Sequence, residues 1–223
     1  KGAPAVRRRF MDMEFGQMSP KYLYNLSQYR TILKQRNQYL RQLNRQQAKD
    51  KVYLGVLSDQ LAAFGAEIIH KRLQLLQQLE KWAQAVHSEI TQEQEQLTFH
   101  YVTQVPTADQ TSVDHIYQTL QALYQQQQAK EIFQGTTLLG PHRDDLQFGV
   151  NGKNVQTFGS QGQQRTTALS VKLAEIDLMK AETGEYPGIL LDDVLSELDA
   201  ARQTPLLTAI QDKVQTFLTT PTL

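Results

Sequence analysis

Apolar residues recur every three or four positions in two long stretches of the first half of the chain. After Ser19-Pro20 they are Tyr22, Leu26, Tyr29, Leu33, Leu40 and Leu43, with Arg36 in the one gap. In the second stretch they are Leu57, Leu61, Phe64, Ile68, Leu75, Leu79, Trp82 and Val86. This spacing is typical of one buried helix face, and Ser-Pro is a common helix start. Because polar residues 44–51 separate the two stretches, the pattern predicts an antiparallel helical hairpin.

The pattern changes after this hairpin. A strand, a loop and a helix are predicted in turn over residues 97–102, 107–111 and 113–133. Asn151-Gly152 lies between the short apolar runs 146–148 and 155–158, which is a strong signal for a β-hairpin. We therefore expect a strand-rich segment to start near Gly135.

A glycine-rich turn precedes the next helical pattern. Ser160 can cap a helix whose apolar positions include Leu169, Leu173 and Ile176. The free amides of a helix's first turn and the positive end of its dipole suit a phosphate. An ordinary serine-capped helix after a glycine turn has the same pattern, so this segment alone leaves both interpretations open.

A second candidate for chemistry follows at Gly188–Asp193. Three apolar residues between a glycine and two acids are typical of a buried strand that delivers carboxylates at its C-terminal end, where ligands bind in open α/β sheets. Asp192 could hold Mg²⁺, and Asp193 could orient or deprotonate a water molecule. Surface acids also follow strands often, so this motif too is ambiguous when taken alone.

Positive charge is concentrated at the front of the chain, although the net charge is zero. Residues 1–50 hold 11 Lys and Arg against 3 Asp and Glu, and residues 51–223 hold 12 against 20. On the first predicted helix, a basic stripe is expected from Arg30, Lys34, Arg41, Arg45 and Lys49. We interpret these five as candidate DNA-binding residues, while a solvated helix face would look the same.

Composition excludes several classes of chemistry. The chain has no cysteine, which excludes disulfides, thiol nucleophiles and thiolate zinc sites, and its five histidines lack the spacing of metal ligands. No apolar run approaches the roughly 20 residues that cross a bilayer, so we expect a cytoplasmic protein without a membrane partner. The chain starts at Lys1 rather than at methionine, and we expect a further N-terminal part to precede it.

The ordered motifs together resemble a known family. Ser160-Gln161-Gly162-Gln163 is similar to the signature of ABC ATPases, Ile189–Asp193 to their Walker B strand, and Ser196–Asp199 to their D-loop. Within that superfamily, the amino-acid sequence of these motifs is most similar to that of RecF-like proteins. The supporting runs are Arg7–Asp12, Gln28–Arg30, Arg36-Asn37, Leu139–Asp145, Gly159–Arg165 and Leu191–Val194.

This resemblance implies an architecture. The fold class would be α/β, namely the part of an ABC-ATPase head that carries the signature, Walker B and D-loop, with an inserted, mainly helical, coiled-coil-like arm. The implied division is a head/arm junction over 1–18, a helical arm over 19–133 and the C-terminal lobe of the head over 134–223.

The resemblance also implies a site in which two heads sandwich two ATP molecules. The signature of one protomer would meet the γ-phosphate held by the other. The implied nucleotide-binding residues are Ser160, Gln161, Gly162, Gln163, Gln164 and Asp199. Asp192 would position Mg²⁺, Asp193 would be the general base, and Asp199 would also help to couple the two sites.

The chain departs from the ABC pattern in ways that bear on activity. No Gly-x-x-x-x-Gly-Lys-Ser/Thr loop occurs in the sequence, so the phosphate cradle of a Walker A motif is missing. We therefore expect this chain alone to be inactive. Asp193 stands where a glutamate is commoner, and threonines within 215–220 stand where many ABC proteins have a histidine. A full-length dimer is accordingly expected to be a slow ATPase.

The function implied by the resemblance is DNA repair and recombination. A RecF-like protein would form an ATP-dependent homodimer, bind single-stranded DNA or a gapped duplex, and assist recombinase loading with the mediator proteins RecR and RecO. Two alternatives stay open: a non-catalytic protein-interaction module, and another small SMC-like ABC ATPase. His142-Arg143-Asp144 resembles a kinase catalytic loop only superficially, so we expect a structural role in which Arg143 pairs with Asp144 or Asp145.

Overall fold

The computed structural model of the chain describes residues 2–188, which contain seven α-helices and one small sheet. Three residues with predicted roles, Asp192, Asp193 and Asp199, lie outside the described residues. The strand predicted over residues 189–193 lies outside them as well.

Two helices joined at Ser19 begin the chain, α1 over Pro4–Met18 and α2 over Pro20–Asn44. The Ser19 N–H donates to the Phe15 carbonyl oxygen, which ends α1, and the Ser19 hydroxyl oxygen accepts from the Tyr22 N–H, which starts α2. The predicted start of α2 is confirmed. Helix α1 was not predicted. Its buried face consists of four residues, and the first of them is an arginine, Arg7, which hides the apolar spacing.

The third helix, α3, spans Lys51–Ile90. Arg36 of α2 donates from Nε to the Ser58 hydroxyl at 3.1 Å, and Arg72 donates from Nε to the Tyr22 hydroxyl at 3.0 Å. The position on α2 therefore falls as the position on α3 rises, which is the register of an antiparallel pair. The predicted helical hairpin is confirmed, and its tip is closed by buried Leu40, Leu43 and Leu54.

The gap in the apolar series of α2 is filled by a buried ion pair. Arg36 donates from Nη2 to Glu131 Oε1 at 2.9 Å, and both side chains are fully buried. Its Nη1 donates to the Thr137 hydroxyl at 2.9 Å, and the guanidinium lies 4.6 Å from the centre of the Tyr124 ring. An arginine is tolerated inside because charge, hydrogen bonds and an aromatic face compensate for the lost water.

The middle of the chain follows the predicted order of elements. Strand β1 spans Leu97–Val102, as predicted. A single 3₁₀ turn, Thr107–Asp109, lies within the predicted loop. The predicted helical segment is two helices, α4 over Val113–Gln126 and α5 over Gln128–Gln134, which meet at Gln127.

A tight hairpin joins β2, Asp145–Val150, to β3, Lys153–Asn154. The strands pair antiparallel, with Gly149 opposite Asn154, and the sheet order is β1-β2-β3. Asn151 and Gly152 have φ values of 52° and 82°, the left-handed pair that a two-residue hairpin turn requires. The predicted hairpin at this dipeptide is confirmed.

The strand predicted over 155–158 is wrong. This segment is a short helix, α6, Val155–Phe158, because the Asn154 side-chain oxygen accepts hydrogen bonds from the Gln156 and Thr157 N–H groups. The expected strand-rich segment is likewise mostly helical within the described residues, since α7 follows over Gln161–Thr183.

The chain divides into two compact units. The first comprises Lys1–Gln74 and Tyr101–Leu146, and the second comprises Leu75–His100 and the chain from Gln147 onward. Helix α3 contributes residues to both. These boundaries differ from the predicted ones at residues 18 and 133, and the division into junction, arm and head lobe stays a prediction.

One helix of residues 2–188, α3, has the length and apolar content that crossing a bilayer requires. In its most apolar window 44% of the residues are buried inside the protein, and core helices of water-soluble folds have the same combination.

Candidate functional site

The glycine-rich turn that was predicted to start a helix does so through a capping box. The Ser160 hydroxyl oxygen accepts from the Gln163 N–H at 3.1 Å, and the Ser160 N–H donates to Gln163 Oε1 at 3.0 Å. Ser160, Gln161 and Gly162 are exposed. Helix geometry leaves the N–H groups of Gln161 and Gly162 without acceptors inside the helix, so this exposed first turn can donate to an anion.

The two glycines beside this cap have different reasons to be glycine. A Cβ at Gly159 would overlap the Val155 carbonyl oxygen, so packing requires glycine there. A Cβ at Gly162 would meet only the Ser160 hydroxyl oxygen, at 3.8 Å, which is ordinary contact. No contact within the described residues requires a glycine at position 162, and a glycine in a helix is less stable there than most other residues. The absence of a side chain at Gly162 leaves open space at the start of α7.

The side chain of Gln163 is anchored in the second unit. Its Nε2 donates to Glu95 Oε2 at 3.1 Å, and Glu95 Oε1 accepts from His87 Nε2 at 3.0 Å. His87 Nδ1 shares a 3.0 Å hydrogen bond with the Ser170 hydroxyl, and both residues are fully buried. A chain of polar contacts thus joins the start of α7 to the end of α3.

Sequence reasoning missed Glu95 and His87. The sequence did contain a signal for His87. Leu75, Leu79 and Ala83 recur every four positions on the buried face of α3, and His87 is the next position in this series. Gln164, the other glutamine of the predicted nucleotide-binding run, is turned inward, since its Nε2 donates at 3.4 Å to the carbonyl oxygens of Val155 and Gly159.

The five predicted DNA-binding residues do not lie on one helix. Arg30, Lys34 and Arg41 are exposed on α2. Helix α2 ends at Asn44, however, and the chain turns away at Gln46, which has a φ of 58°. Two members of the predicted stripe, Arg45 and Lys49, therefore follow the helix instead of extending its face.

The segment that resembles a kinase loop, residues 142–145, makes several side-chain hydrogen bonds within the first unit. Asp145 accepts from Arg7 in a bidentate pair at 2.7 and 3.0 Å, and Asp144 Oδ2 accepts from the Tyr101 hydroxyl at 2.7 Å. Arg143 donates from Nε to the Thr137 carbonyl oxygen. The structural role is confirmed, but the predicted pairing of Arg143 with either aspartate is wrong.

His142 of the same segment is held as a neutral imidazole. Its Nε2 lies 3.1 Å from the Thr137 carbonyl oxygen, which can only accept, so Nε2 carries the proton. Its Nδ1 therefore accepts from the Tyr29 hydroxyl at 2.6 Å. Burial lowers the pKa of His142 from 6.5 to about 4, because the charged form loses its water.

Asp144 shifts in the opposite sense, and the two shifts offset each other. Burial raises the pKa of Asp144 from 3.8 to about 6, despite the opposing effects of Tyr101 and Arg72. As the pH falls from 6.5 to 4, the unfolded chain protonates its histidine first, which destabilises the fold. Between pH 6 and 3.8 the folded chain protonates its aspartate first, which stabilises the fold.

Asp144→Asn is expected to expose the titration of His142. Because the offsetting aspartate is gone, the variant should lose about 2 kcal/mol more stability than the parent chain between pH 7 and pH 4.5. Urea unfolding at the two pH values measures this difference. An equal loss in both proteins would mean that Asp144 is not protonated in the fold in this range.

No cluster of three or more candidate metal ligands is present in residues 2–188. The predicted Mg²⁺ ligand, Asp192, lies outside that range.

The chain is similar over its whole length to curated RecF proteins. "DNA replication and repair protein RecF" of Latilactobacillus sakei subsp. sakei (strain 23K) is 70% identical over 224 residues, which cover 100% of this chain and 60% of that protein. The proteins of the same name from Pediococcus pentosaceus and Limosilactobacillus reuteri are 67% and 66% identical with the same coverage. The chain therefore spans about 60% of the length of the curated relatives it matches.

Solved structures agree with this similarity. The recombination mediator protein RecF-ATP in the RecFOR pathway superposes with a TM-score of 0.85 and 29% identity, over 95% of this chain and 55% of that one. The RecF-ATPrS structure from the same pathway gives a TM-score of 0.80 over 84% of this chain and 50% of that one. No protein-family model matches the chain.

Proposed function

Because this chain belongs to the RecF family of DNA replication and repair proteins, we propose that the full-length protein, with the length of its relatives, acts in recombinational DNA repair. It binds ATP, forms an ATP-dependent homodimer and binds single-stranded or gapped DNA in the cytoplasm. There it assists recombinase loading together with the mediator proteins RecR and RecO. The identity to curated RecF proteins and the RecFOR setting of the structural neighbours support this assignment.

The architecture proposed for the full-length protein is an ABC-ATPase head with an inserted helical arm. The long hairpin of α2 and α3 supports an arm, since neither helix is interrupted by proline. The capped start of α7 supports a head, because the run that resembles the ABC signature forms this helix start.

The nucleotide site is carried by one observation, the exposed and open start of α7. Ser160, Gly162 and Gln163 meet the γ-phosphate bound by the partner protomer, and Gln161 and Gln164 complete the run. Donors fixed at a helix start need no reorganisation when the anion arrives, which favours binding.

The acidic residues complete the proposed site. Asp192 holds Mg²⁺, a cation that prefers carboxylate oxygens, and the ion neutralises phosphate charge when bound. Asp193 accepts a proton from the attacking water, and Asp199 links the two sites of the dimer. The full-length dimer is proposed to be a slow ATPase, because the aspartate at 193 is one methylene shorter than the usual glutamate.

Gly162→Asp in the full-length protein tests the nucleotide site. The open space should accommodate the side chain, but its negative charge should repel the γ-phosphate, so ATP-dependent dimerisation should fall at least about tenfold. Light scattering with and without ATP measures the dimer. Gly55→Asp is the matched control, because Gly55 is also exposed and a Cβ added there would meet nothing within 4 Å, but it lies in α3. If Gly162→Asp dimerised with ATP as the parent does, the proposal that the signature run contacts the nucleotide would be wrong.

Charge reversal on α2 tests DNA binding. Lys34→Glu combined with Arg41→Glu should weaken binding and make the salt dependence of log K less steep by about two contacts. Fluorescence anisotropy of a gapped duplex at several salt concentrations measures the slope. Arg45→Glu with Lys49→Glu carries the same charge change beyond the helix end. If only this control pair changed the slope, the tip of the hairpin, and not α2, would hold the DNA.

A second candidate, a protein-interaction module, is favoured by apolar side chains near the hairpin tip. Val52, Tyr53 and Val56 are 76%, 45% and 48% exposed. Exposed apolar residues close together often mark a partner surface. Partner binding that persists without nucleotide and DNA would favour this alternative.

A further inference from the structure

A basic cavity of about 270 Å³ opens in the first unit, against α1, α2 and the turn at Pro141. Its charged lining residues are Arg8, Arg9, Asp12, Arg30 and Arg72, and His142 lies beside them. Four guanidinium groups face a single carboxylate. His142 adds no charge, because it is neutral. The lining therefore carries a net charge of about +3.

One of these arginines belongs to the framework of the cavity. Arg72 is buried, and it donates to the Tyr22 and Tyr101 hydroxyls, to the Pro141 carbonyl oxygen and to Asp12 Oδ1 at 2.8–3.0 Å. These bonds fix the wall of the cavity. They also account for Arg72 without any ligand.

The other three arginines are not accounted for in this way. Within residues 2–188, Arg8 donates one hydrogen bond, to the Asp144 carbonyl oxygen at 3.0 Å, and its charge also acts to lower the pKa of the Asp144 carboxyl. Arg30 is 64% exposed and lies 3.6 Å from Asp12 Oδ2, a surface contact of little strength. Arg9 is exposed and has no hydrogen bond or ion pair within residues 2–188. These contacts use only part of the five N–H donors of the Arg8 and Arg30 guanidinium groups, and none of those of Arg9.

The helical positions explain why the three successive arginines differ. Successive residues of a helix point about 100° apart. Arg7 points inward to its pair with Asp145, so Arg8 and Arg9 project elsewhere. They line the cavity together with Arg30 from α2. Cations from two helices therefore converge on one space.

We propose that this cavity binds a phosphate group of a DNA backbone, held by Arg8, Arg9 and Arg30. Planar guanidinium groups bind phosphate oxygens in pairs, and convergence of several of them is the usual way to hold one. The proposal rests on the DNA-binding function proposed above, and it adds a specific site for one phosphate.

Continuity with α2 favours a polymer over a free anion. Arg30 belongs both to the cavity and to the exposed basic face that continues at Lys34 and Arg41. The helix rises about 16 Å between Arg30 and Arg41, a length over which a duplex strand presents several phosphates. A backbone that follows α2 would thus reach the cavity at one end, and the exposed arginines leave the mouth open for the chain to pass.

The test is DNA binding by the full-length protein with Arg9→Ala and Arg9→Lys, because Arg9 has no role in folding among the described contacts. Anisotropy of a labelled gapped duplex is measured at several salt concentrations. Arg9→Ala should bind about tenfold more weakly and make the salt slope shallower by about one contact. Arg9→Lys should keep the slope but still bind several-fold more weakly, since lysine cannot donate in a fork.

Lys21→Ala is the matched control. Lys21 is an exposed cation of α2 outside the cavity, with a loose 3.9 Å pair to Glu67, and its loss should leave affinity unchanged. Suppose that Arg9→Ala and Arg9→Lys bound DNA like the parent, while the charge reversal at Lys34 and Arg41 weakened binding. The proposal that the cavity binds a phosphate would then be wrong, and the proposed DNA-binding function would stand. If the parent protein bound no DNA, the proposed function itself would fail.

Competition separates the sources of phosphate. Inorganic phosphate should displace the duplex only at concentrations far above that of the DNA, because it fills one site of an extended contact. If inorganic phosphate at a concentration similar to that of the DNA displaced the duplex from the parent but not from Arg9→Ala, the occupant would be a free anion and the proposal would be wrong.

Discussion

Glu131→Gln is expected to destabilise the chain by about 3–5 kcal/mol, because it leaves the buried charge of Arg36 without its partner. Both side chains are fully buried, so water cannot replace the lost carboxylate. Glu131 Oε2 also accepts from the Leu138 N–H at 2.8 Å, so the connection after α5 loosens as well. Urea unfolding of parent and variant measures the difference.

The exposed pair Lys21 and Glu67 provides the matched control. Its atoms are 3.9 Å apart and the lysine is 76% exposed, so Glu67→Gln should cost less than about 1 kcal/mol. The double variant Arg36→Met, Glu131→Leu should recover much of the loss, since it removes both charges. A double variant as unstable as Glu131→Gln would show that hydrogen bonds, and not the uncompensated charge, dominate.

Asp193→Asn in the full-length protein is expected to slow ATP hydrolysis by at least about a hundredfold and to leave ATP binding intact. The amide cannot accept the proton of the attacking water, while the proposed metal ligand, Asp192, is unchanged. Single-turnover phosphate release measures hydrolysis, and fluorescent-nucleotide titration measures binding.

Two further variants interpret that result. Asp192→Asn should weaken Mg²⁺-dependent nucleotide binding, in contrast to Asp193→Asn, because it removes the proposed metal ligand. Glu182→Gln removes an exposed carboxylate of α7 and should change neither quantity. If Asp193→Asn hydrolysed ATP at the parent rate, another group would be the base.

Local features of the fold could be predicted from the sequence. The Ser19-Pro20 start of α2, strand β1 and the turn at Asn151-Gly152 each depend on residues within a few positions, and each is confirmed. The capping box at Ser160 is local in the same way. Its link to Glu95 was not predictable, because 68 positions separate Gln163 from that carboxylate.

Buried polar residues account for much of what sequence reasoning missed. Periodicity identifies the buried face of a helix by its apolar residues and does not count a buried arginine. Helix α1 was therefore missed, because Arg7 lies on its buried face, and Arg36 was interpreted only as a gap in the apolar series of α2. The partner of Arg36 lies 95 positions away, and no local pattern reveals such a pair. The basic stripe was predicted to continue the helical period past Asn44, where α2 ends, so Arg45 and Lys49 lie beyond the helix, and DNA binding by the five residues stays a prediction.

The anchoring of Gln163 has a thermodynamic consequence. Its amide oxygen accepts from the Ser160 N–H and its amide nitrogen donates to Glu95, so a ligand that draws the amide out of this position must break both hydrogen bonds. Each broken bond offsets the gain from the new contact by about 1 kcal/mol. By linkage, a change at His87 or Glu95 that weakens this anchor would raise ligand affinity at the start of α7, and bound ligand would loosen the anchor by the same factor.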